Sequence, residues 1–189
     1  MSNKLFLASA SPRRGELLSQ INIDYERIDA AIDETIQHDE TSEQYVQRLA
    51  LEKALAGLQK NNQKGLVLGA DTIVVCEQQV MEKPRDKAHA QQMMVLLSNN
   101  THQVLTAVAL VSAKQQQVKL VTTEVTFKTL TAQEISDYWE TGEPQDKAGG
   151  YGIQGFAGQF VRHISGSYSA VVGLPLYETA QLINNFKGV

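Results

Sequence analysis

At 189 residues, the chain is long enough to bury a hydrophobic core without disulfides or metals, and 42% of its residues are hydrophobic. Its net charge of −4 argues against a general nucleic-acid binder, and no segment approaches the length needed to span a membrane. The single cysteine, Cys76, excludes an internal disulfide and fits a reducing compartment. We therefore expect one domain, residues 1–189, in the cytoplasm.

The first predicted strand, Leu5–Ala8, leads directly into the start of a helix. Ser11 can cap this helix, and Pro12 suits its first turn. Arg13 and Arg14 follow in the same turn, where acidic residues are usual because the amide end of a helix is partly positive. Two arginines in that place are compensated most naturally by a bound anion such as phosphate. The pattern therefore predicts an anion site near the N-terminus.

Further elements follow from periodicity and from capping and turn residues. The patterns predict, in chain order, a short strand through Ile23 and Tyr25 that could extend to Arg27, an acidic loop, a helix from Thr41 to near Gly57, a strand over 66–75 and a helix from Asp86. They then predict long strands over 102–112 and 118–130, a helix from Thr131 to Gly142, a glycine-rich loop over 146–158, a strand over 168–173 and a last helix opened by Pro175. Strands and helices intermix along the chain, so the predicted class is α/β with a mixed sheet.

Two acidic residues are candidates for chemistry. Asp71 lies inside the apolar run 66–76, where a carboxylate is costly to bury without a partner. It is either a structural aspartate bonded to backbone amides, or a metal ligand or general base at the floor of a cleft. Glu34 lies in the acidic loop and is either simply solvated or paired with Asp71. The pair would suit Mg²⁺, which favours a couple of carboxylates plus phosphate oxygens.

Two lysines are ambiguous when they are taken alone. Lys53 falls on the apolar side of its helix beside Leu49 and Ala54, where a solvated lysine is unexpected, although its stem could also run along the surface to solvent. Lys83 precedes Pro84 in the loop before the next helix, and it could be a solvated loop lysine as readily as a functional one.

The glycine-rich segment over 150–155 has the glycine spacing of the dinucleotide-binding fingerprint but not its structural context. That fingerprint needs a strand before it and a helix after it, and no helical period follows here. The glycines instead suggest a tight loop whose backbone approaches a ligand, with Gln154 offering an amide to read a base edge. The four histidines share no metal-ligand spacing, so each is expected at the surface or in packing: His38, His89, His102 and His163.

Together, eight short motifs resemble those of the Maf family of nucleoside triphosphate pyrophosphatases, in order and over essentially the whole chain. These motifs are Ser9-Ala10-Ser11-Pro12-Arg13-Arg14, Asp33-Glu34, Glu52-Lys53-Ala54, Gly69-Ala70-Asp71-Thr72, Glu82-Lys83-Pro84-Arg85-Asp86, Asp146-Lys147-Ala148-Gly149, Tyr151-Gly152-Ile153-Gln154-Gly155 and Val172-Gly173-Leu174-Pro175. Arg13, Thr72 and Gln154 match the branch that acts on dTTP and UTP, whereas the branch that acts on 7-methyl-GTP has tryptophan, glutamine and glutamate there.

The resemblance implies an elongated mixed β-sheet flanked by helices, with two lobes around a central cleft, and a cytoplasmic, house-cleaning hydrolase of nucleotide metabolism. It implies a divalent metal, Mg²⁺ or Mn²⁺, held with the help of Glu34 and Asp71, and it makes Asp71 the proton acceptor. It also implies triphosphate contacts from five residues: Ser9, Arg13, Arg14, Lys53 and Lys83. The expected partner is a nucleoside triphosphate, with neither nucleic acid nor membrane, and a homodimer is the oligomeric state considered.

The expected reaction splits dTTP, UTP and modified pyrimidine triphosphates into the nucleoside monophosphate and pyrophosphate. Charge neutralisation and positioning carry most of such a reaction. Thr72 and Gln154 would select the pyrimidine by hydrogen bonds. The alternative is a regulator of septum formation and cell division that binds the nucleotide without hydrolysing it. Asp71 and Glu34 favour the enzyme, since a sensor needs no base.

Overall fold

The computed structural model describes residues 4–187, which contain seven strands and six α-helices. The strands are β1 (Leu5–Ala8), β2 (Glu26–Arg27), β3 (Leu66–Cys76), β4 (Gln79–Met81), β5 (Thr101–Val111), β6 (Gln116–Phe127) and β7 (Val161–Ser165). The helices are α1 (Pro12–Gln20), α2 (Ser42–Lys60), α3 (Lys87–Leu97), α4 (Ala132–Glu140), α5 (Tyr168–Val172) and α6 (Leu176–Lys187). Within these residues, no helix has both the length and the apolar character needed to cross a membrane.

The strands form one mixed sheet in the order β2-β1-β3-β5-β6-β7, and β4 pairs with β3 off this path. β1 is parallel to both β2 and β3, with Leu7 opposite Leu68 and Ala8 opposite Gly69. The hairpin of β3 with β4 and the pair β6–β7 are antiparallel. The predicted α/β class with a mixed sheet is therefore confirmed.

The chain divides into two compact units. The first comprises the residues up to 71, with 106–121 and the residues from 173 onward, and the second comprises 72–105 and 122–172. In the first unit, α2 buries Val46, Leu49 and Ala50, as its helical spacing predicted. In the second, α3 buries Met93 and Leu97 in an apolar cluster that also contains Cys76, Phe127 and Phe160. Burial raises the pKa of the Cys76 thiol, which fits its predicted packing role.

The predicted helix starts are largely confirmed. Thr41 with Gln44 and Thr131 with Glu134 form complete capping boxes, and Asp86 accepts from the His89 amide at 2.8 Å. Pro12 occupies the first turn of α1, but the Ser11 side chain makes no capping hydrogen bond.

The strand predicted over 168–173 is wrong. Tyr168–Val172 is a short helix, α5, and the strand β7 lies before it. The Ser167 hydroxyl accepts from the Ala170 amide at 3.3 Å, and the Ser167 carbonyl accepts from the Val171 amide at 3.2 Å. Ser167 therefore starts a helix in a short apolar run whose periodicity does not distinguish a strand from a buried helix.

Three short 3₁₀ helices lie within or overlap the region predicted as a loop over 146–158. They are Glu143–Asp146, Ala148–Gly150 and Phe156–Phe160. Each is too short to produce a helical period in the sequence.

Candidate active site

An ion cluster in the first unit joins three of the predicted site residues. The Lys53 ammonium Nζ lies 2.6 Å from Asp71 Oδ1 and 2.7 Å from Glu34 Oε1. The Asp71 and Lys53 side chains are only 11% and 13% exposed, so this cation offsets the cost of burying the carboxylate. The structure pairs Asp71 with a side-chain cation, a partner that neither interpretation of Asp71 included.

Close helix–strand packing brings Lys53 to Asp71. A Cβ atom added at Gly69 would lie 2.3 Å from the Ala50 carbonyl oxygen and 2.6 Å from the Ala54 amide nitrogen. Because glycine has no side chain, the backbones of α2 and β3 approach each other here. Lys53 lies one residue before Ala54, and Asp71 lies two residues after Gly69. The predicted position of Lys53 on the apolar side of α2 is thereby explained.

The loop that carries Glu34 is held by α2. The Tyr45 hydroxyl donates to the Glu34 carbonyl oxygen at 2.8 Å, and Arg48 Nη2 donates to the Thr35 carbonyl oxygen at 3.0 Å. Arg48 Nε also bonds Glu40 at 2.7 Å, and this hydrogen bond raises the pKa of the arginine. Sequence reasoning missed Tyr45 and Arg48 as supports of this loop. Their spacing of three residues on one helix face, next to an acidic loop, is the signal that could have indicated them.

The predicted anion site at α1 contains one arginine that is held in place. Arg14 Nη1 donates to Ser9 Oγ at 3.0 Å, and Arg14 Nε donates to the Gly173 carbonyl oxygen at 2.8 Å. Burial lowers the pKa of Arg14, the carboxylate of Asp71 opposes this, and the charge of Arg13 adds to it. The charges of Arg13, Asp71 and Glu34 therefore all act on the Arg14 guanidinium, which is bonded to Ser9. The guanidinium remains charged, because arginine cannot be deprotonated in proteins.

The remaining predicted residues lie in the second unit. Thr72, which follows Asp71 on β3, is half-buried. Lys83 and Gln154 are exposed, and the loops that carry them are neighbours. The Gly149 amide donates to the Glu82 carbonyl oxygen at 3.2 Å, so the residue before Lys83 is tied to the start of the glycine-rich segment.

The donor set of the first unit suits a hard divalent cation. Glu34 and Asp71 place carboxylate oxygens within 2.7 Å of the same nitrogen atom, so both can reach one positive group. Within residues 4–187, no group of three or more histidine, cysteine or acidic side chains converges on a point. Two protein carboxylates are enough for Mg²⁺, since it is commonly bound by one or two carboxylates plus water and phosphate oxygens.

A clustered carboxylate, ammonium and guanidinium can hold a polyanion beside a proton acceptor. Comparison with known proteins identifies the family of this chain. A family model described as "Maf-like protein" matches residues 4–186. The chain belongs to the Maf family.

Relatives within the Maf family are similar along nearly the whole chain. A protein of Vibrio vulnificus named dTTP/UTP pyrophosphatase is 54% identical over 184 residues, which cover 97% of this chain and 99% of the relative. A protein of Shigella dysenteriae with the same name is 56% identical over 185 residues, covering 98% of this chain and 94% of the relative. The resemblance to this family that the motifs indicated is confirmed.

One solved structure is weakly similar to this Maf chain. It is a nucleoside-triphosphatase / dITP/XTP pyrophosphatase from Mycobacterium abscessus, 18% identical, with a TM-score of 0.47 over 68% of this chain and 76% of that one. The likeness is too weak to bear on the fold or on the activity.

Proposed function

We propose that this Maf protein hydrolyses dTTP and UTP between the α- and β-phosphates, giving the nucleoside monophosphate and pyrophosphate. The names of the relatives at 54–56% identity support this reaction. The single observation that carries it is the buried Lys53 ammonium between Asp71 and Glu34, with Arg14 in the same electrostatic environment.

Hydrolysis of the triphosphate requires little covalent chemistry from the protein. Asp71 accepts the proton of the attacking water, and the cations nearby stabilise the charge that develops on the phosphates. Lys53 can pair with Asp71 and stabilise phosphate charge at the same time, because an ammonium has three N–H donors and the two carboxylates take two of them. The third donor can reach a phosphate oxygen.

The other basic groups are proposed to contact the triphosphate. Arg14 is already oriented by Ser9, so its guanidinium loses little freedom when a phosphate binds. Arg13 and Lys83 supply further charge, and the Ser9 hydroxyl is a further phosphate contact. Four cationic side chains match the three to four negative charges of a nucleoside triphosphate.

A divalent cation, Mg²⁺ or Mn²⁺, is part of this proposal. Glu34 and Asp71 would hold it, together with phosphate oxygens of the substrate. When bound, it would supply charge neutralisation for the triphosphate.

The base is proposed to be read by Gln154 and Thr72, with Arg13 contributing to selectivity. A glutamine amide can accept from N3–H and donate to O4, a pair that uracil and thymine share and cytosine lacks. A wrong base leaves buried polar groups unpaired, and each costs about 1–3 kcal/mol. Removal of modified pyrimidine triphosphates from the cytoplasmic pool is the proposed role, and a homodimer is the proposed assembly.

The test is a substrate panel with separate detection of pyrophosphate and phosphate. We expect UTP and dTTP to release pyrophosphate with Mg²⁺ or Mn²⁺, CTP and 7-methyl-GTP to react far more slowly, and chelation to stop turnover. Release of phosphate and a nucleoside diphosphate would contradict the cleavage position. Nucleotide binding without any product would favour the non-hydrolytic regulator instead.

A further inference from the structure

The Glu143 side chain lies beneath the segment that carries Gln154. Glu143 Oε2 accepts a hydrogen bond from the Phe156 amide at 2.6 Å, and Oε1 accepts from the Ala157 amide at 3.3 Å. Oε1 also accepts from the Tyr138 hydroxyl at 2.9 Å. One carboxylate therefore binds two consecutive amides at the start of the 3₁₀ helix Phe156–Phe160, immediately after Gln154 and Gly155.

Two glycines of this segment lie against side chains on the 143–147 side. A Cβ atom added at Gly155 would lie 2.0 Å from Glu143 Oε2, and one added at Gly152 would lie 2.8 Å from Cε of Lys147. Lys147 in turn donates to the Glu143 carbonyl oxygen at 2.8 Å. The glycines were expected to admit a ligand, but these two make room for Glu143 and Lys147. The segment thus packs against Lys147 before Gln154 and is hydrogen-bonded to Glu143 after it.

Tyr138 fixes the position of the carboxylate. The Tyr138 side chain is fully buried, and its ring stacks on that of Phe156 with centroids 5.9 Å apart. Burial, reinforced by the hydrogen bond to Glu143, raises the pKa of Tyr138, so the hydroxyl remains a donor. Glu143 is half-buried and therefore forms a charge-assisted contact partly shielded from water.

We propose that Glu143 is a positioning residue for base selectivity. It touches no part of the substrate and acts by holding Gln154 where its amide meets the base, a role that rests on the proposed function of Gln154. A glutamine at position 143 could accept from one backbone amide, but its own NH₂ group would face another N–H donor.

The experiment compares Glu143→Gln with Glu140→Gln, which makes the same chemical change at an exposed glutamate that pairs with Lys87. The readout is the ratio of kcat/KM for UTP to kcat/KM for CTP. We expect Glu143→Gln to lower this ratio about tenfold, from the loss of a charge-assisted hydrogen bond, and Glu140→Gln to leave it unchanged. An equal loss for both substrates would show a merely structural role and overturn the proposal.

A double variant tests whether the effect passes through Gln154. If it does, adding Glu143→Gln to Gln154→Ala lowers the ratio no further, whereas independent effects would multiply and contradict the proposal. Should Glu143→Gln fail to fold, Tyr138→Phe decides, since it removes the hydroxyl that donates to Glu143 and contacts the Gly152 amide but keeps both amide contacts of Glu143. We expect it to lower the ratio two- to threefold, and an unchanged ratio would overturn the proposal.

Failure of the proposed function would be visible separately. If the wild-type protein does not hydrolyse UTP, the reaction assignment falls before any variant is compared. If the wild-type protein selects UTP over CTP and Glu143→Gln does so equally well, only the role of Glu143 falls.

Discussion

At the scale of single residues, the cost of burying Asp71 is offset by a partner 18 positions away. The Lys53 contact at 2.6 Å leaves both groups in a site that is largely shielded from water. Such a pair adds little to stability, because desolvation offsets the attraction between the charges. We therefore expect the pair to contribute more to the proposed reaction than to the free energy of unfolding.

The first prediction concerns Asp71→Asn. The amide cannot accept a proton from water, so we expect kcat for UTP to fall by at least about a hundredfold, the usual contribution of a general base. Nucleotide binding should persist, because Arg13, Arg14 and Lys83 are untouched. Steady-state kinetics and calorimetric titration with UTP measure the two quantities separately.

Asp29→Asn is the matched control for this change. Asp29 is exposed and pairs only loosely with Lys60, at 3.5 Å. We expect its kcat to equal that of the wild type. An Asp71→Asn protein that turns over UTP at the normal rate would exclude Asp71 as the base.

The sequence predicted individual charged residues better than the contacts between them. Asp71 and Lys53 were recognisable because each carries a charge in an apolar pattern. Glu143 was not, since it lies in a polar stretch and the two backbone amides that it binds are 13 and 14 residues away. A hydrogen bond between distant backbone and side-chain atoms leaves no periodic signal in one sequence.

At the scale of elements, local capping chemistry made most helix starts predictable. Thr41 with Gln44 and Thr131 with Glu134 satisfy the free amides of a first turn within four residues, so the signal is contained in the sequence. The prediction for the α5 segment was wrong because its short, mostly apolar run, Tyr168–Val172, suits either a strand or a buried helix. Strand order was not predictable either, since it depends on pairing between distant segments.

The second prediction concerns the packing of α2 on β3. Gly69→Ala would bring a methyl group against the Ala50 and Ala54 backbone, which cannot rotate away as a side chain can. We expect a loss of about 3 kcal/mol in the free energy of unfolding, the upper end of the overpacking range. We also expect at least a tenfold loss of kcat/KM for UTP, because α2 must move and carry Lys53 away from Asp71. Urea unfolding and steady-state kinetics measure the two effects.

Leu55→Ala serves as the control for a change elsewhere on α2. Leu55 is 41% exposed. Its variant should retain wild-type kcat/KM. Normal stability and activity of Gly69→Ala would show that the backbone approach at Gly69 does not set the position of Lys53.

At the scale of the whole molecule, the core of the second unit encloses a titratable group. His102 is 1% exposed, and its Nε2 lies 2.8 Å from the Tyr151 hydroxyl. Its ring meets the edges of Phe127 and Tyr151. Within residues 4–187, the buried Nδ1 atom has no hydrogen-bond partner. A proton added to this ring therefore enters an apolar environment, and burial lowers the pKa of His102 to about 4.

This burial makes stability depend on pH in a defined range. The pKa of His102 is about 4 in the folded protein, against an ordinary value of 6.5. Between these values the unfolded chain binds a proton that the folded protein does not, so lowering the pH favours unfolding. The aspartates and glutamates whose pKa is lowered, Asp33, Glu40 and Glu134, lose their contribution mainly below pH 5. The interval from pH 7.5 to pH 5 therefore isolates the histidine.

The third prediction is a loss of about 2 kcal/mol in the free energy of unfolding between pH 7.5 and pH 5. His102→Gln removes the titrating group and leaves an amide that can bond Tyr151, so its stability should vary much less over the same interval. Urea unfolding followed by the fluorescence of Trp139, the single tryptophan, reports on the second unit directly because Trp139 lies in α4. His163→Gln, at an exposed position on β7, should keep the wild-type pH dependence. If the His102→Gln protein loses as much stability at pH 5 as the wild type, the buried neutral histidine is not the source of the pH dependence.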